Sequence, residues 1–367
     1  MLEALKKIVD PDAGKDILTL GMVQGLVVRD GHVGFSLEVD PARGPKLEPL
    51  RKAAEQAVEK IPGVLSVTAV LTAQKGGAPA AQKGHGHSHG PAQGAGAKQL
   101  VPGVKAIVAV ASGKGGVGKS TTATNIAVAL AQKGLKVGLL DADVYGPSQP
   151  RMLGLSGRPD SPDGKILAPM TNHGVACMSM GFLVPEDTPM IWRGPMVMGA
   201  LEQMLRDVAW GELDIMIVDM PPGTGDAQLT MAQRVPLAGA VIVSTPQDIA
   251  LLDARKGLNM FRKVEVPVLG IVENMSYHVC SSCGHREHIF GHGGARAEAD
   301  KLGVPFLGEV PLHIAIRETS DGGTPIVASQ PDSAHAAAYR AIADQVWAKV
   351  EPGLKSSRPA GPRIVVQ

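Results

Sequence analysis

Hydrophobic and polar positions follow two different rhythms along this chain. Beyond residue 100, short apolar runs recur between longer stretches of helical spacing: AIVAVA from Ala106, KVGLL from Lys136, VACMSM from Val175, IMIVDM from Ile215, AVIVST from Ala240, VLGIVE from Val268 and PFLGEV from Pro305. A strand that is apolar on both faces belongs inside a covered sheet, and strands separated by helices pair in parallel. The pattern predicts an α/β fold with a mainly parallel sheet and helices over both faces. Ligands of such sheets sit beyond the carboxyl ends of the strands.

The first 73 residues read otherwise. Leu2, Leu5, Ile8 and Val9 predict an amphipathic helix; VQGLVV and HVGFSLEV predict two strands joined through Arg29-Asp30-Gly31, a tight hairpin signal. Leu47, Leu50, Ala54, Ala57, Val58 and Ile61 give a second helical stripe, and VLSVTAVL a third strand. The order αββαβ predicts a small α+β domain. It has no cysteine, and its one histidine, His32, reads as a solvated residue beside the hairpin turn.

Between these parts, residues 74–98 (QKGGAPAAQKGHGHSHGPAQGAGAK) contain no large apolar side chain and cannot bury enough surface to offset chain entropy. They predict a flexible linker. His85, His87 and His89 within it have imidazoles suited to a transition metal, but flanking glycines give no outer groups to orient the rings, so a plain tether is preferred. The expected organisation is 1–73, a linker at 74–98, a large domain at 99–350 and a Pro-rich tail at 351–367, where Pro352, Pro359 and Pro362 are expected to break any helix.

The balance of 36 Lys+Arg against 35 Asp+Glu leaves a formal net charge of +1, without the basic stripe of a nucleic-acid binder. No apolar run reaches the roughly 18 residues of a membrane span, and the N-terminus lacks the apolar stretch of a secretory signal. The expectation is a cytoplasmic protein with neither nucleic acid nor membrane as partner. Three cysteines, Cys177, Cys280 and Cys283, make no disulfide framework, and the CSSC pair reads as metal-binding or redox-active.

The first large-domain strand runs into Ser112 and then GKGGVGKST: Gly113, Lys114, Gly115, Gly116, Val117, Gly118, Lys119, Ser120 and Thr121. This is the G-x-x-x-x-G-K-[ST] phosphate loop in its strand, loop, helix setting. Its glycines let backbone N–H groups face phosphate oxygens at the positive end of a helix. Lys119 is placed to neutralise the β and γ phosphates of a nucleotide such as ATP, and the Ser120 hydroxyl to ligate Mg²⁺. Asp141 and Asp143 end the next strand; the first suits the magnesium shell and the second the orientation of water, with helix capping as the alternative use of both. IMIVDM ends in Asp219, a carboxylate placed for Mg²⁺ or its waters, and the PPGTG loop offers the Gly223 amide to a γ-phosphate.

Together GKGGVGKS, DADVYGPS, VDMPPGTGD, PQDIALLDARKG from Pro246 and ENMSYHVCSSCG from Glu273 make the chain resemble the Mrp-type (ApbC-like) iron–sulfur carrier ATPases. These belong to the deviant Walker A group with MinD, ParA and the nitrogenase iron protein. The N-terminal part is similar to the iron–sulfur assembly domain often fused ahead of them; some relatives carry a cysteine there, where this chain has DPARGPKLEP. The resemblance implies that Lys114 reaches into a partner subunit's nucleotide site, that Asp143 positions water, that Asp141 and Asp219 attend magnesium and that Asn274 recognises adenine.

A [4Fe–4S] cluster wants four sulfur ligands and zinc a closed set of four, whereas one chain offers Cys280 and Cys283, since Cys177 lies in a run that reads as buried strand. A symmetric homodimer supplies four around one axis. A local zinc site from Cys280, Cys283, His285 and His288, and a thioredoxin-like redox pair, are the competing uses of these thiols. At the level of function, an ATP-hydrolysing carrier handing a cluster to apo iron–sulfur proteins competes with a MinD- or ParA-like positioning switch and with a scaffold of vestigial activity. The proline-broken tail and the intact Lys119 and Asp143 favour the carrier.

Overall fold

The computed structural model describes residues 2–29, 32–39, 47–61, 64, 66–73, 101–162, 164–184 and 194–356. The expected linker, with His85, His87 and His89, the hairpin turn at Asp30-Gly31, most of DPARGPKLEP and the last eleven residues lie outside them. The chain divides into two compact units, residues 1–92 and 93–367.

In the first unit α1 (Leu2–Leu5) precedes β1 (Val23–Arg29), β2 (His32–Val39), α2 (Glu48–Glu59) and β3 (Ser66–Ala73). β1 and β2 are antiparallel, β2 and β3 parallel, giving the expected αββαβ sheet in the order β1-β2-β3. Leu5, Ile17, Leu37, Leu47, Ala54 and Val58 are fully or almost fully buried in its core. The first helix is shorter than its apolar spacing suggests. Pro11 biases Asp10 away from helical backbone, the Asp10 carboxylate instead accepts N–H bonds from Asp12 and Ala13, and Val9 pairs with Asp16 in a bridge.

The second unit is built on β4 (Ile107–Ala111), β5 (Val137–Asp141), β6 (Met170–Asn172), β7 (Val175–Ser179), β8 (Ile215–Asp219), β9 (Gly239–Ser244), β10 (Val268–Asn274) and β13 (Phe306–Val310). They form one sheet in the order β13-β10-β9-β4-β8-β5-β7-β6, parallel throughout except for β6, which turns back against β7. Every residue of β4, β5, β8 and β9 is buried, as their unbroken apolar runs require. A separate two-stranded hairpin, β11 (His278–Val279) with β12 (Arg286–Glu287), stands between β10 and β13 in sequence.

The helices fall into two packed groups: α3 (Lys119–Gln132), α4 (Gln149–Met152), α9 (Ile314–Asp321), α10 (Ile326–Ser329) and α11 (Ala334–Ser356) in one, and α5 (Gly194–Arg206), α6 (Asp226–Arg234), α7 (Asp248–Lys263) and α8 (Gly294–Leu302) in the other. The sheet is covered on both faces. α11 continues through Pro352 to Ser356, correcting the expectation that this proline ends the helix. Val346 and Val350 are buried and Leu354 packs on the same core, and that packing offsets the hydrogen bond a mid-helix proline forfeits. No described helix is long and apolar enough to cross a membrane.

Candidate functional site

The phosphate loop leaves β4 at its carboxyl end and enters α3, and three of its glycines, Gly113, Gly116 and Gly118, are required where they stand. A Cβ on Gly113 would lie 2.1 Å from the backbone carbon of Asp253 in α7, so the loop presses directly on that helix. Gly116 and Gly118 take left-handed backbone at φ +79° and +81°, and a Cβ on Gly118 would meet the Asn274 amide nitrogen at 2.0 Å.

Lys114, Gly115, Gly116, Gly118, Lys119, Ser120, Thr121 and Asp143 line one cleft of about 270 Å³, with Ser112, Ser148, Met152 and Pro222. At its floor the buried Lys119 ammonium lies 2.5 Å from Asp219 Oδ1 and 3.0 Å from the Ser120 hydroxyl. Asp143 is half-buried in the wall, and that burial holds its carboxyl above the usual range. The Gly223 amide, offered to a γ-phosphate by the sequence, here donates to the Ser112 carbonyl at 3.0 Å.

The other expected residues sit behind this surface. Asp141 and Asp219 are register partners at the ends of β5 and β8, both buried. Asp141 accepts from the Asp143 N–H at 3.2 Å, from the Ser148 and Gln149 N–H groups at 3.0 and 3.1 Å and from the Ser179 hydroxyl at 3.0 Å. It therefore braces the start of α4, the capping use of a strand-end acid. Burial, then the neighbouring Asp219, push its carboxyl up to about 7. Val117 is buried, and its carbonyl accepts the Asn274 amide at 2.8 Å. Asn274 thus stands against the back of the loop, outside the cleft lining.

Sequence reasoning missed Gln149. Fully buried, it bonds Asp219 Oδ2 at 2.8 Å and Thr124 at 2.6 Å. Nothing in the PSQP run marks a buried residue; only the pairing of β5 with β8 brings its partner near.

Cys280 and Cys283 lie elsewhere in the unit, on the loop joining β11 to β12. Glu273, at the end of β10, starts the anchoring of this hairpin: its buried carboxylate accepts the Ser276 hydroxyl at 2.6 Å and the Ala295 N–H, at the start of α8, at 2.7 Å. Arg286 lies 3.6 Å over the Tyr277 ring and 3.0 Å from Glu309. At the tip, the Cys280 N–H donates to the His285 carbonyl at 2.9 Å and the Gly284 N–H to the Cys280 carbonyl at 2.8 Å. The N–H groups of Cys283 and Ser282, and then the Cys283 thiol, hold the Cys280 thiol below its ordinary range, favouring the thiolate that ligates metals.

Cys283 is exposed and Cys280 half-exposed, whereas Cys177 is buried in β7 and pushed well up by desolvation. Of the competing uses, a redox pair opening a helix does not match a hairpin tip. His288 is engaged with His292, the ring centroids 4.0 Å apart at a 43° tilt, and its Nδ1 lies 3.4 Å from the Ser276 carbonyl. Among the described residues no three His, Cys, Asp or Glu gather to hold a metal.

A polyanion is the ligand for which so many backbone N–H groups and a buried lysine at the head of a helix are useful, and the doubly covered sheet around them is that of a P-loop NTPase. A family model described as NUBPL iron-transfer P-loop NTPase matches residues 103–347, and the chain belongs to that family. A second model, for an iron–sulfur cluster assembly protein, matches residues 1–70. The chain is 49% identical over 355 residues to the iron–sulfur cluster carrier protein of Synechocystis sp., covering 95% of this chain and 97% of that one. With the iron–sulfur cluster carrier protein of Escherichia coli K12 it shares 60% identity over 251 residues, 68% of each. A solved nucleotide-binding protein in complex with ADP from Archaeoglobus fulgidus is similar at 41% identity and TM-score 0.55, covering 62% of this chain and 89% of that chain.

Proposed function

We propose that this chain is an ATP hydrolase that carries a [4Fe–4S] cluster between two copies of itself and passes it to apo iron–sulfur proteins in a reducing, cytoplasmic setting. One observation carries the reading. Two accessible thiols, one of them favoured as thiolate, stand on a braced hairpin that leaves the same strand end whose Asn274 bonds the phosphate loop. Two thiols are half the set a cubane cluster needs, and a twofold axis supplies the rest.

In this reading the loop amides and Lys119 hold the β and γ phosphates, Asp143 orients the attacking water, and Lys114, at the cleft rim, acts on the partner's phosphates. The Ser120 hydroxyl and the Asp219 carboxylate, both bonded to the Lys119 ammonium, offer oxygen donors that fit magnesium, directly or through water. Bound there with nucleotide, magnesium would neutralise charge on the phosphates. Asn274 contributes to the adenine side from behind the loop. Names of the relatives as cluster carriers support the cargo, and the likeness to an ADP complex supports the nucleotide.

The test is transfer. After anaerobic loading with iron and sulfide, wild type is expected to activate an apo acceptor, and Cys283→Ala to neither load nor transfer. Equal transfer by this variant excludes the hairpin as the carrying site.

A further inference from the structure

Gln149 opens α4 with its side chain buried beneath the cleft, and each of its polar groups is engaged. Its backbone N–H donates to Asp141 Oδ2 at 3.1 Å, and its Nε2 to Asp219 Oδ2 at 2.8 Å and to the Ser120 carbonyl at 3.3 Å. Its Oε1 accepts the Thr124 hydroxyl at 2.6 Å, while that hydroxyl also reaches the Ser120 carbonyl at 2.8 Å. The amide can stand only one way round, because a carboxylate accepts and never donates when ionised. One residue therefore ties the ends of β5 and β8 to the first turn of α3.

Lys119 and Gln149 hold opposite oxygens of Asp219, Oδ1 and Oδ2. A lysine that turns to neutralise nucleotide phosphates must release Oδ1, and Asp219 then stands buried beside Asp141 with Gln149 as its remaining side-chain donor among the bonds described. A buried carboxylate held by no second donor would be free to rotate. We propose that Gln149 is a positioning residue for hydrolysis: it pins Asp219 by Oδ2, so that the oxygen Lys119 vacates is the one offered to magnesium, and Thr124 locks Gln149 in turn. This rests on reading the chain as a magnesium-dependent ATP hydrolase.

Thr124→Val and Thr124→Ser separate positioning from packing. Valine keeps the volume and loses the hydroxyl, whereas serine keeps the hydroxyl and leaves a methyl-sized void, so a packing role favours valine and a positioning role favours serine. Expected is that Thr124→Ser stays within about twofold of wild type, while Thr124→Val lowers kcat at least about fivefold and raises the half-saturating Mg²⁺ at least about threefold, with the KM for ATP little changed. Gln149→Leu is expected to do the same more strongly.

A second readout needs no turnover: the gain in affinity for fluorescent ADP on adding Mg²⁺, present in wild type and Thr124→Ser and reduced in Thr124→Val and Gln149→Leu. An absent gain in wild type, or equal magnesium dependence in the serine and valine variants, overturns the inference. The expected order in ADP binding from a wild type that hydrolyses no ATP supports the positioning of Asp219 for magnesium and defeats the hydrolase reading alone.

Discussion

The Lys119 ammonium is paired with Asp219 in the floor of the cleft, the two side chains 6% and 0% exposed. Without nucleotide, this lysine is therefore the counter-charge of a buried acid that already has Asp141 beside it. Lys119→Met removes the cation and strands the carboxylate, which is expected to cost about 3–5 kcal/mol of stability. Adding Asp219→Asn in the same chain should recover most of that loss. Urea unfolding of the three proteins without nucleotide checks it; a single variant as stable as wild type contradicts this role of the Lys119–Asp219 pair.

Lys114 and Lys119 both line the cleft, Lys114 half-buried and Lys119 buried at its floor. If the work of Lys114 is done on a partner's phosphates in the transition state, Lys114→Ala should lower ATP hydrolysis by about 10³-fold and leave nucleotide affinity within a few-fold. Parallel loss of hydrolysis and affinity, measured by steady-state kinetics and nucleotide titration, would assign it to ground-state binding instead.

Asp141 has its carboxyl raised from an ordinary 3.8 to about 7, first by burial and then by Asp219. The folded protein holds that proton where the unfolded chain has lost it, so this group's contribution to stability is fully present below about pH 4 and is lost as pH rises towards 7. The slope is at most about 1.4 kcal/mol per pH unit. Asp143 acts in the same sense, and His335, lowered by burial and by His313, in the opposite sense below about pH 6.5. Asp16, Asp207, Asp214 and Glu298, all lowered, act mainly below pH 4. Comparing wild type with Asp141→Asn isolates the group. The difference between their unfolding free energies should change between pH 4 and 7 and be flat above; a difference constant throughout contradicts the shift.

Arg286 pins the cysteine hairpin through Tyr277 and Glu309, and it is about half exposed. Arg286→Ala is expected to cost no more than about 1 kcal/mol of stability. Its effect should appear in the thiols: faster alkylation of Cys280 and Cys283, with nucleotide affinity unchanged and buried Cys177 as the unreactive internal control. Unchanged alkylation rates would mean that the hairpin is held by its other contacts.

The sheet was legible because each central strand is an unbroken apolar run that only a covered position explains, and the phosphate loop because its glycines and lysine are contiguous. Contacts that depend on distant partners were not. Met170–Asn172 is three half-buried or exposed residues with no periodicity, and β11 and β12 are two residues each, so nothing local announces the strand that turns back at the sheet edge or the hairpin that carries the thiols. The bond of the Asn274 amide to the Val117 carbonyl is of this kind, joining the end of β10 to the phosphate loop far earlier in the sequence. Pro352 illustrates the reverse error, a strong local signal overridden by the packing of Val346, Val350 and Leu354.

Native mass spectrometry of anaerobically reconstituted protein, read together with iron and acid-labile sulfide, reaches the central claim most directly. Sharing of one cubane by two hairpins predicts that the iron-bearing species has twice the chain mass, with four iron and four sulfide per pair, and that it is missing from Cys280→Ala. A wild-type species of single-chain mass carrying the whole cluster would contradict it.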